Sequence, residues 1–311
     1  MSYQPIADKL SAGQVVILDG AIGTELERRG VQMDGALWCG RATVEQPDIV
    51  RAVHDAYLEA GADVITANTY ATPTTAMHEA GLSAEIAPWN QQAIKIAKDA
   101  AAASGRDVAV AGSVSTYGSW QRLGIDVLAP GFALQARICA DAGADLLILE
   151  TLASEPEIVD AAIEMTADVG LPVWLAISAL ADDDGALHQG ARESREQDLD
   201  FKAFAPLDQA ISRFSQKFDG PILIMHSELT VTADAVATAK AHHDGVIGAY
   251  PNAGFWKRPS WAFVDQVEPE AYAAEAEGWR DRGAQIIGGC CGVGPSHIAA
   301  TASRLSQNGG A

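Results

Sequence analysis

The chain has 311 residues, 48% of them hydrophobic and 20% charged, which suits a folded globular protein and is too apolar for a disordered one. With 21 Lys and Arg against 41 Asp and Glu, the formal net charge is −20, which argues against nucleic acid and anionic membranes as partners, since both reward a basic surface. Four cysteines (Cys39, Cys139, Cys290 and Cys291) are too few for a disulfide scaffold and point to a reducing, cytoplasmic setting.

The opening MSYQPIADKL has neither the basic head nor the apolar stretch of a secretory signal, and no apolar run approaches the roughly 18 residues of a membrane span. The first strand is read in VVILDG (15–20). PDIVRAVHDAYLEAGAD then predicts a helix with Ile49, Val50, Val53, Tyr57 and Leu58 on one face and a stop at Gly61. The second strand is DVITANTY (63–70), followed by a helix in NQQAIKIAKDAAAASG that stops at Gly105. VAVAGSV (108–114) gives the third strand, a long loop at 115–131 follows, and ALQARICADAGAD gives a helix that stops at Gly143. LLILET (146–151), the helix EPEIVDAAIEMTADVG and VWLAIS (173–178) come next, with a second long loop at 180–200. ILIMHS (222–227), VIGAYPN (246–252) and IIGGCCG (286–292) complete eight strands, with a third long loop at 252–271.

Continuous apolar runs suit parallel strands buried on both faces. Eight of them alternating with helices predict an α/β fold, a single (β/α)8 TIM barrel spanning residues 1–311, in preference to an open doubly wound sheet. The three long loops all leave the C-terminal ends of strands, the face where such barrels build their sites.

The sharpest chemical feature is GGCCG at 288–292. Buried cysteines are often small hydrophobes. Here they end a barrel strand, and the flanking glycines allow adjacent side chains to converge, which an ordinary strand forbids. Paired thiolates bind zinc, and a catalytic zinc takes three protein ligands and keeps one position open. Such a centre would hold a substrate thiol in its nucleophilic thiolate form, ready for an activated methyl group.

These motifs resemble the homocysteine S-methyltransferase family. The likeness runs through LDGAIGTELERRG (18–30), LWCGRATVEQPDIVRAVHDAYLEAGADVITANTY (37–70), AGSVSTYG (111–118), LILET (147–151), YPNAG (250–254) and GGCCGVGPSHI (288–298). It implies a zinc-dependent barrel that moves a methyl group from a small onium donor, S-methylmethionine or S-adenosylmethionine first among them, to the sulfur of homocysteine. By the same resemblance Cys290 and Cys291 are zinc thiolates, and Asp19 and Glu150 receive the amino acid end. Gly20, Gly23 and Thr24 form a turn that admits substrate. Asn68 with Thr69, Ser113 with Gly112, and Tyr250 with Pro251 and Asn252 line the pocket, Gly112–Ser113 as a turn whose backbone N–H groups hold a carboxylate. No folate or cobalamin module is expected, and the oligomeric state stays open, a homo-oligomer included.

The likeness breaks at the sixth strand. The family supplies its third zinc ligand there from a Gly-x-Asn-Cys pattern, whereas this chain reads ILIMHSELT. Three readings stand: His226 replaces the thiolate, Cys39 supplies the third sulfur, or zinc binds weakly or not at all and the pocket serves another substrate, a metal-free amino-acid-binding relative included. Strand alternation lets only one of His226 and Ser227 face the barrel centre, and the first reading needs it to be His226. Trp120, Tyr117, Trp256, Trp261 and Tyr250 are candidates to box an onium methyl group. DDDG at 182–185 reads as a solvated turn, His242 and His243 as solvent-facing, and His297 as a cap or packing residue. His54 and His78 are assigned no chemistry.

Overall fold

A computed structural model describes residues 3–118, 123–150, 154–192, 201–257 and 262–307. In chain order the strands are β1 (Val16–Ile17), β2 (Val64–Thr66), β3 (Ala109–Ser115), β4 (Leu146–Glu150), β5 (Val173–Ala181), β6 (Leu187–Arg192) and β7 (Phe201–Pro206). They continue with β8 (Ile222–Met225), β9 (Ile247–Tyr250), β10 (Phe255–Lys257), β11 (Ala262–Val264) and β12 (Ala284–Ile287). All eight expected strands form. They pair in parallel in the order β1-β12-β9-β8-β5-β4-β3-β2. A parallel bridge between Leu18 and Val64, with Asp19 N–H donating to the Val64 carbonyl at 3.0 Å, brings β1 back to β2. The fold is a (β/α)8 barrel.

Alternation along the strands separates two apolar layers. Val16, Leu18, Val64, Ala111, Ile148, Trp174, Ala176, Leu223, Met225 and Ile286 fill the barrel. Ile17, Ile65, Val110, Leu147, Leu175, Ile224 and Ile287 face outward to the helices. The N-terminal helix Gln4–Ser11 contributes Ile6 to the inner layer, and the Trp174 indole N–H donates to the Tyr3 hydroxyl at 3.0 Å. The helix Pro47–Glu59 buries Val50, Val53, Tyr57 and Leu58, as its spacing predicts. No helix among the described residues is long and apolar enough to cross a membrane.

The long loops differ from expectation. A helix over Ile125–Asp141 begins inside the first one, despite Pro130 within it. The 180–200 segment holds β6, which pairs antiparallel with β5 and with β7. Ala191 and Phe204 of that hairpin join the inner layer with Met225, Tyr250 and Cys290, so the hairpin covers the barrel mouth. The 252–271 segment holds a second hairpin, β10–β11. The DDDG stretch is a turn, with Asp182 accepting from the N–H groups of Asp184 and Ala186. His243 is not solvent-facing: it is buried between the Ser215 hydroxyl and the Gly220 carbonyl, each 2.9 Å from a ring nitrogen. His297 is a packing residue, with Nε2 at 2.8 Å from the Val267 carbonyl.

His54 is fully buried in the helix Pro47–Glu59, and neither ring nitrogen has a hydrogen-bond partner among the described residues. Burial lowers its pKa to about 4. The fold therefore prefers neutral His54, while the unfolded chain takes a proton near pH 6.5. Stability present above about pH 6.5 is lost as the pH falls toward 4. His54→Leu is expected to gain about 2–3 kcal/mol relative to the parent between pH 7.5 and 4.5, read from urea midpoints. Parallel pH profiles for the two proteins would refute this.

Candidate metal centre and acceptor pocket

Three side chains converge at the mouth of the barrel. His226 Nδ1 lies 3.6 Å from the Sγ atoms of both Cys290 and Cys291, and the two sulfurs are 3.9 Å apart. Among the described residues this is the group able to hold a metal ion. The spacing fits a tetrahedral ion. At metal–sulfur and metal–nitrogen bonds of about 2.3 and 2.0–2.1 Å, two sulfurs stand about 3.8 Å apart and a sulfur and a nitrogen about 3.6 Å apart.

The backbone explains why His226 reaches this position. Strict alternation after Met225, which faces inward, would send His226 outward and Ser227 inward. His226 instead adopts a left-handed conformation with φ 46°, uncommon for a non-glycine residue. The alternation ends there and the imidazole turns to the cysteines. Ser227 is turned away: its hydroxyl donates to the Met225 carbonyl at 2.8 Å and accepts from the Ala179 N–H at 2.9 Å.

Cys39 does not join the group. Its thiol is buried and donates to Asn68 Oδ1 at 3.2 Å, and burial pushes its pKa up to about 12. It is committed to its neighbour and lies outside the group of donor atoms close enough to share one ion. The reading in which Cys39 supplies the third sulfur is therefore set aside.

The turn carrying the cysteines is held from several sides. Asn252 Oδ1 accepts from the Cys291 N–H at 3.0 Å. Thr24 Oγ1 accepts from the Gly292 N–H at 3.2 Å, and Arg28 donates to the Gly292 carbonyl at 2.8 Å. The Tyr272 hydroxyl reaches the Gly288 carbonyl at 2.7 Å. Gly292 has φ 81°, and a Cβ there would lie 1.9 Å from the Phe263 ring of the β10–β11 hairpin, so no larger residue fits.

Below the metal centre lie two buried carboxylates. Glu150 accepts hydrogen bonds from the Ser113 hydroxyl and from the Tyr250 hydroxyl, the latter at 3.2 Å. Burial raises the Glu150 pKa against both hydrogen bonds. Asp19 accepts from the Thr66 N–H at 2.7 Å and its hydroxyl at 3.0 Å. Burial raises its pKa to about 8, and the Glu150 charge adds to the shift. Two buried carboxylates held against their ionisation suit a cationic ligand.

The structure brings Asp19, Ser113, Glu150, Tyr250, His226, Cys290 and Cys291 to one end of the barrel. The other expected pocket residues have internal partners. Asn68 Nδ2 donates to the Cys39 carbonyl and to Thr43 Oγ1, each at 3.1 Å. Thr24 and Asn252 brace the cysteine turn. A Cβ on Gly20 would lie 2.4 Å from the Val293 carbonyl, and one on Gly23 would strike the Trp38 ring, so these glycines serve close packing. Gly112 and Ser113 lie within β3 and not in a turn, and the Ser113 N–H donates to Thr69 Oγ1 at 2.9 Å. That N–H is not free for a carboxylate.

Of the candidate aromatic residues, Trp120 and Trp261 and the Trp256 side chain lie outside the described residues. Tyr250 serves Glu150. Tyr117 packs with Trp38 and Tyr70, ring centroids 6.5 and 5.5 Å away. The sequence alone does not single out Trp38 and Tyr70. They stand in LWCG and ANTY, directly beside Cys39 and Thr69, and that adjacency was the available signal.

The sequence model of the family described as Homocysteine S-methyltransferase matches residues 16–305. Homocysteine S-methyltransferase 1 of Arabidopsis thaliana is 27% identical over 95% of this chain and 94% of its own length. Homocysteine S-methyltransferase of Escherichia coli (strain K12) is 28% identical over 96% of this chain and 98% of its own. The crystal structure of the E. coli homocysteine methyltransferase MmuM in its metallated form superposes with a TM-score of 0.77 at 25% identity, covering 96% of this chain and 99% of that one.

Proposed function

The chain belongs to the homocysteine S-methyltransferase family, and from that premise we propose that it transfers a methyl group from a small onium donor to the sulfur of homocysteine, giving methionine, with zinc held by His226, Cys290 and Cys291. The observation that carries this reading is the three-atom cluster at tetrahedral spacing above the Glu150–Tyr250–Ser113 group. When bound, zinc would keep the acceptor's thiol deprotonated at neutral pH. The chain's own residues do the rest. Asp19 and Glu150 take the acceptor's ammonium by charge-assisted hydrogen bonds, and ion pairing offsets the burial that resists their ionisation. Tyr250 and Ser113 fix the Glu150 carboxylate. Asn252 and Thr24 hold the cysteine turn in register.

The Trp38, Tyr70 and Tyr117 rings support an onium donor, because aromatic faces attract a sulfonium or ammonium methyl group. Burial chiefly raises the pKa of the Tyr250 hydroxyl and the Tyr70 hydroxyl adds to it, which supports a cluster near the acceptor pocket. Transfer is then a direct displacement: the acceptor sulfur bonds to the methyl carbon as the carbon–sulfur bond of the donor breaks, its electron pair staying with the leaving thioether.

The imidazole at 226 carries one negative charge fewer than a thiolate would. That feature favours a second reading, in which the same centre serves a different thiol. Zinc-loaded protein given S-methylmethionine or S-adenosylmethionine is expected to form methionine from homocysteine at least tenfold faster than it methylates cysteine or glutathione. Preference for another thiol would select the second reading, and no methylation of any thiol would overturn both.

A further inference from the structure

Ser178 occupies an inward position in the second half of β5. Along that strand Trp174 and Ala176 belong to the inner layer, and Leu175, Ile177 and Ala179 to the outer one. Alternation therefore turns Ser178 into the barrel. It is level with Met225, the residue before His226, and lies on the strand next to the one carrying Glu150. Its side chain is 1% exposed, and among the described residues its Oγ has no hydrogen-bond partner. Native interiors rarely leave such a group unsatisfied.

The chemistry around it defines what is missing. An α-amino acid brings an ammonium and a carboxylate. The ammonium has Asp19 and Glu150. The buried polar residues include no lysine or arginine among those described, so the carboxylate meets no buried cation. The donors left to it among the described residues are neutral. The hydroxyls of Ser113 and Tyr250 are committed to Glu150, and the Ser113 N–H to Thr69. The Ser178 hydroxyl is a donor with no such commitment, one strand from the ammonium site.

We infer that Ser178 donates its hydroxyl hydrogen to the α-carboxylate of the acceptor and so selects an amino acid thiol over a simple amine thiol. This rests on the acceptor being an amino acid thiol, as proposed above. The test is calorimetric binding of two ligands to zinc-loaded protein: homocysteine and 3-aminopropane-1-thiol, which has the same thiol and ammonium but no carboxylate. Ser178→Ala is expected to weaken homocysteine binding about tenfold or more and to leave the aminothiol within about twofold. Zinc content and thermal midpoint should be unchanged, since the alanine abandons no internal hydrogen bond. Ser178→Thr, which keeps the hydroxyl, should retain homocysteine affinity. Equal weakening of both ligands, or no change in either, would overturn the assignment. Parent protein that binds neither ligand would instead remove the amino acid thiol reading itself.

Discussion

Cys290→Ser and His226→Ala proteins are expected to purify with less than about a tenth of the zinc carried by the parent and to lose methyl transfer by about three orders of magnitude. Three protein ligands share the binding free energy, and for zinc sites in small domains that total is about 10–16 kcal/mol. Removing one ligand therefore costs several kcal/mol and weakens the site by about a thousandfold or more. A serine oxygen does not restore it, and neither does Ser227, whose hydroxyl is tied to β5 and β8. His226→Cys is expected to keep about one zinc per chain, because the side chain at 226 already points to a place 3.6 Å from both sulfurs. Elemental analysis of each protein after dialysis reads the result directly. Full zinc in His226→Ala would remove the imidazole from the centre and return the question of the third ligand to the start.

The barrel was legible because its determinants are local. Each core strand is buried on both faces and so reads as an unbroken apolar run. The helix stops were legible at Gly61, Gly105, Gly143 and Gly170, which have φ of 104°, 66°, 93° and 80°, values that favour glycine. The two hairpins were not legible. LHQGAR, FKAFAP and FWK are short and mixed in polarity, AFV is only three residues long, and they exist by pairing with each other or with β5. The second half of the helix over Ile125–Asp141 was legible in ALQARICADAGAD, whereas its first half was masked by Gly124, Pro130 and Gly131, three residues that signal a loop.

In the pocket, Cys290 and Cys291 could be found from their glycines. The direction of His226 could not, because period-two alternation predicts the opposite side and only a left-handed backbone reverses it. Nor does a sequence show that Asn68, Thr24 and Asn252 spend their polar atoms on the protein itself. Their motif positions are the same whether they touch substrate or brace the backbone that does. Ser178 escaped for the opposite reason: a serine in an apolar strand carries no signal until its hydroxyl is seen to lack a partner.

The buried carboxylates supply the second large effect. Asp19→Asn is expected to weaken homocysteine binding about a hundredfold at pH 8.5, Glu150→Gln at least as much, because each removes one charged partner of a desolvated ammonium. The pH dependence identifies Asp19. In the free protein its pKa stands at about 8, so below that pH the group is protonated and the incoming ammonium must displace a proton. Homocysteine affinity in the parent should rise by up to about tenfold per unit as the pH climbs from 6.5 to 8 and then lose that slope. Ionisation of the ligand's own thiol contributes equally to parent and variant, so the difference between their profiles isolates Asp19. Stability moves the other way. The unfolded chain ionises this group near pH 3.8 while the fold resists until about 8, so its burial is harmless below pH 3.8 and increasingly destabilising as the pH rises through that window. With metal and acceptor absent, Asp19→Asn should therefore be more stable than the parent at pH 8.5, by about 3–5 kcal/mol in urea unfolding, and nearly equal to it at pH 4. A variant that gains stability while losing the acceptor marks a charge kept for binding. A variant that loses both would make Asp19 a structural tie to Thr66 and leave Glu150 alone at the ammonium.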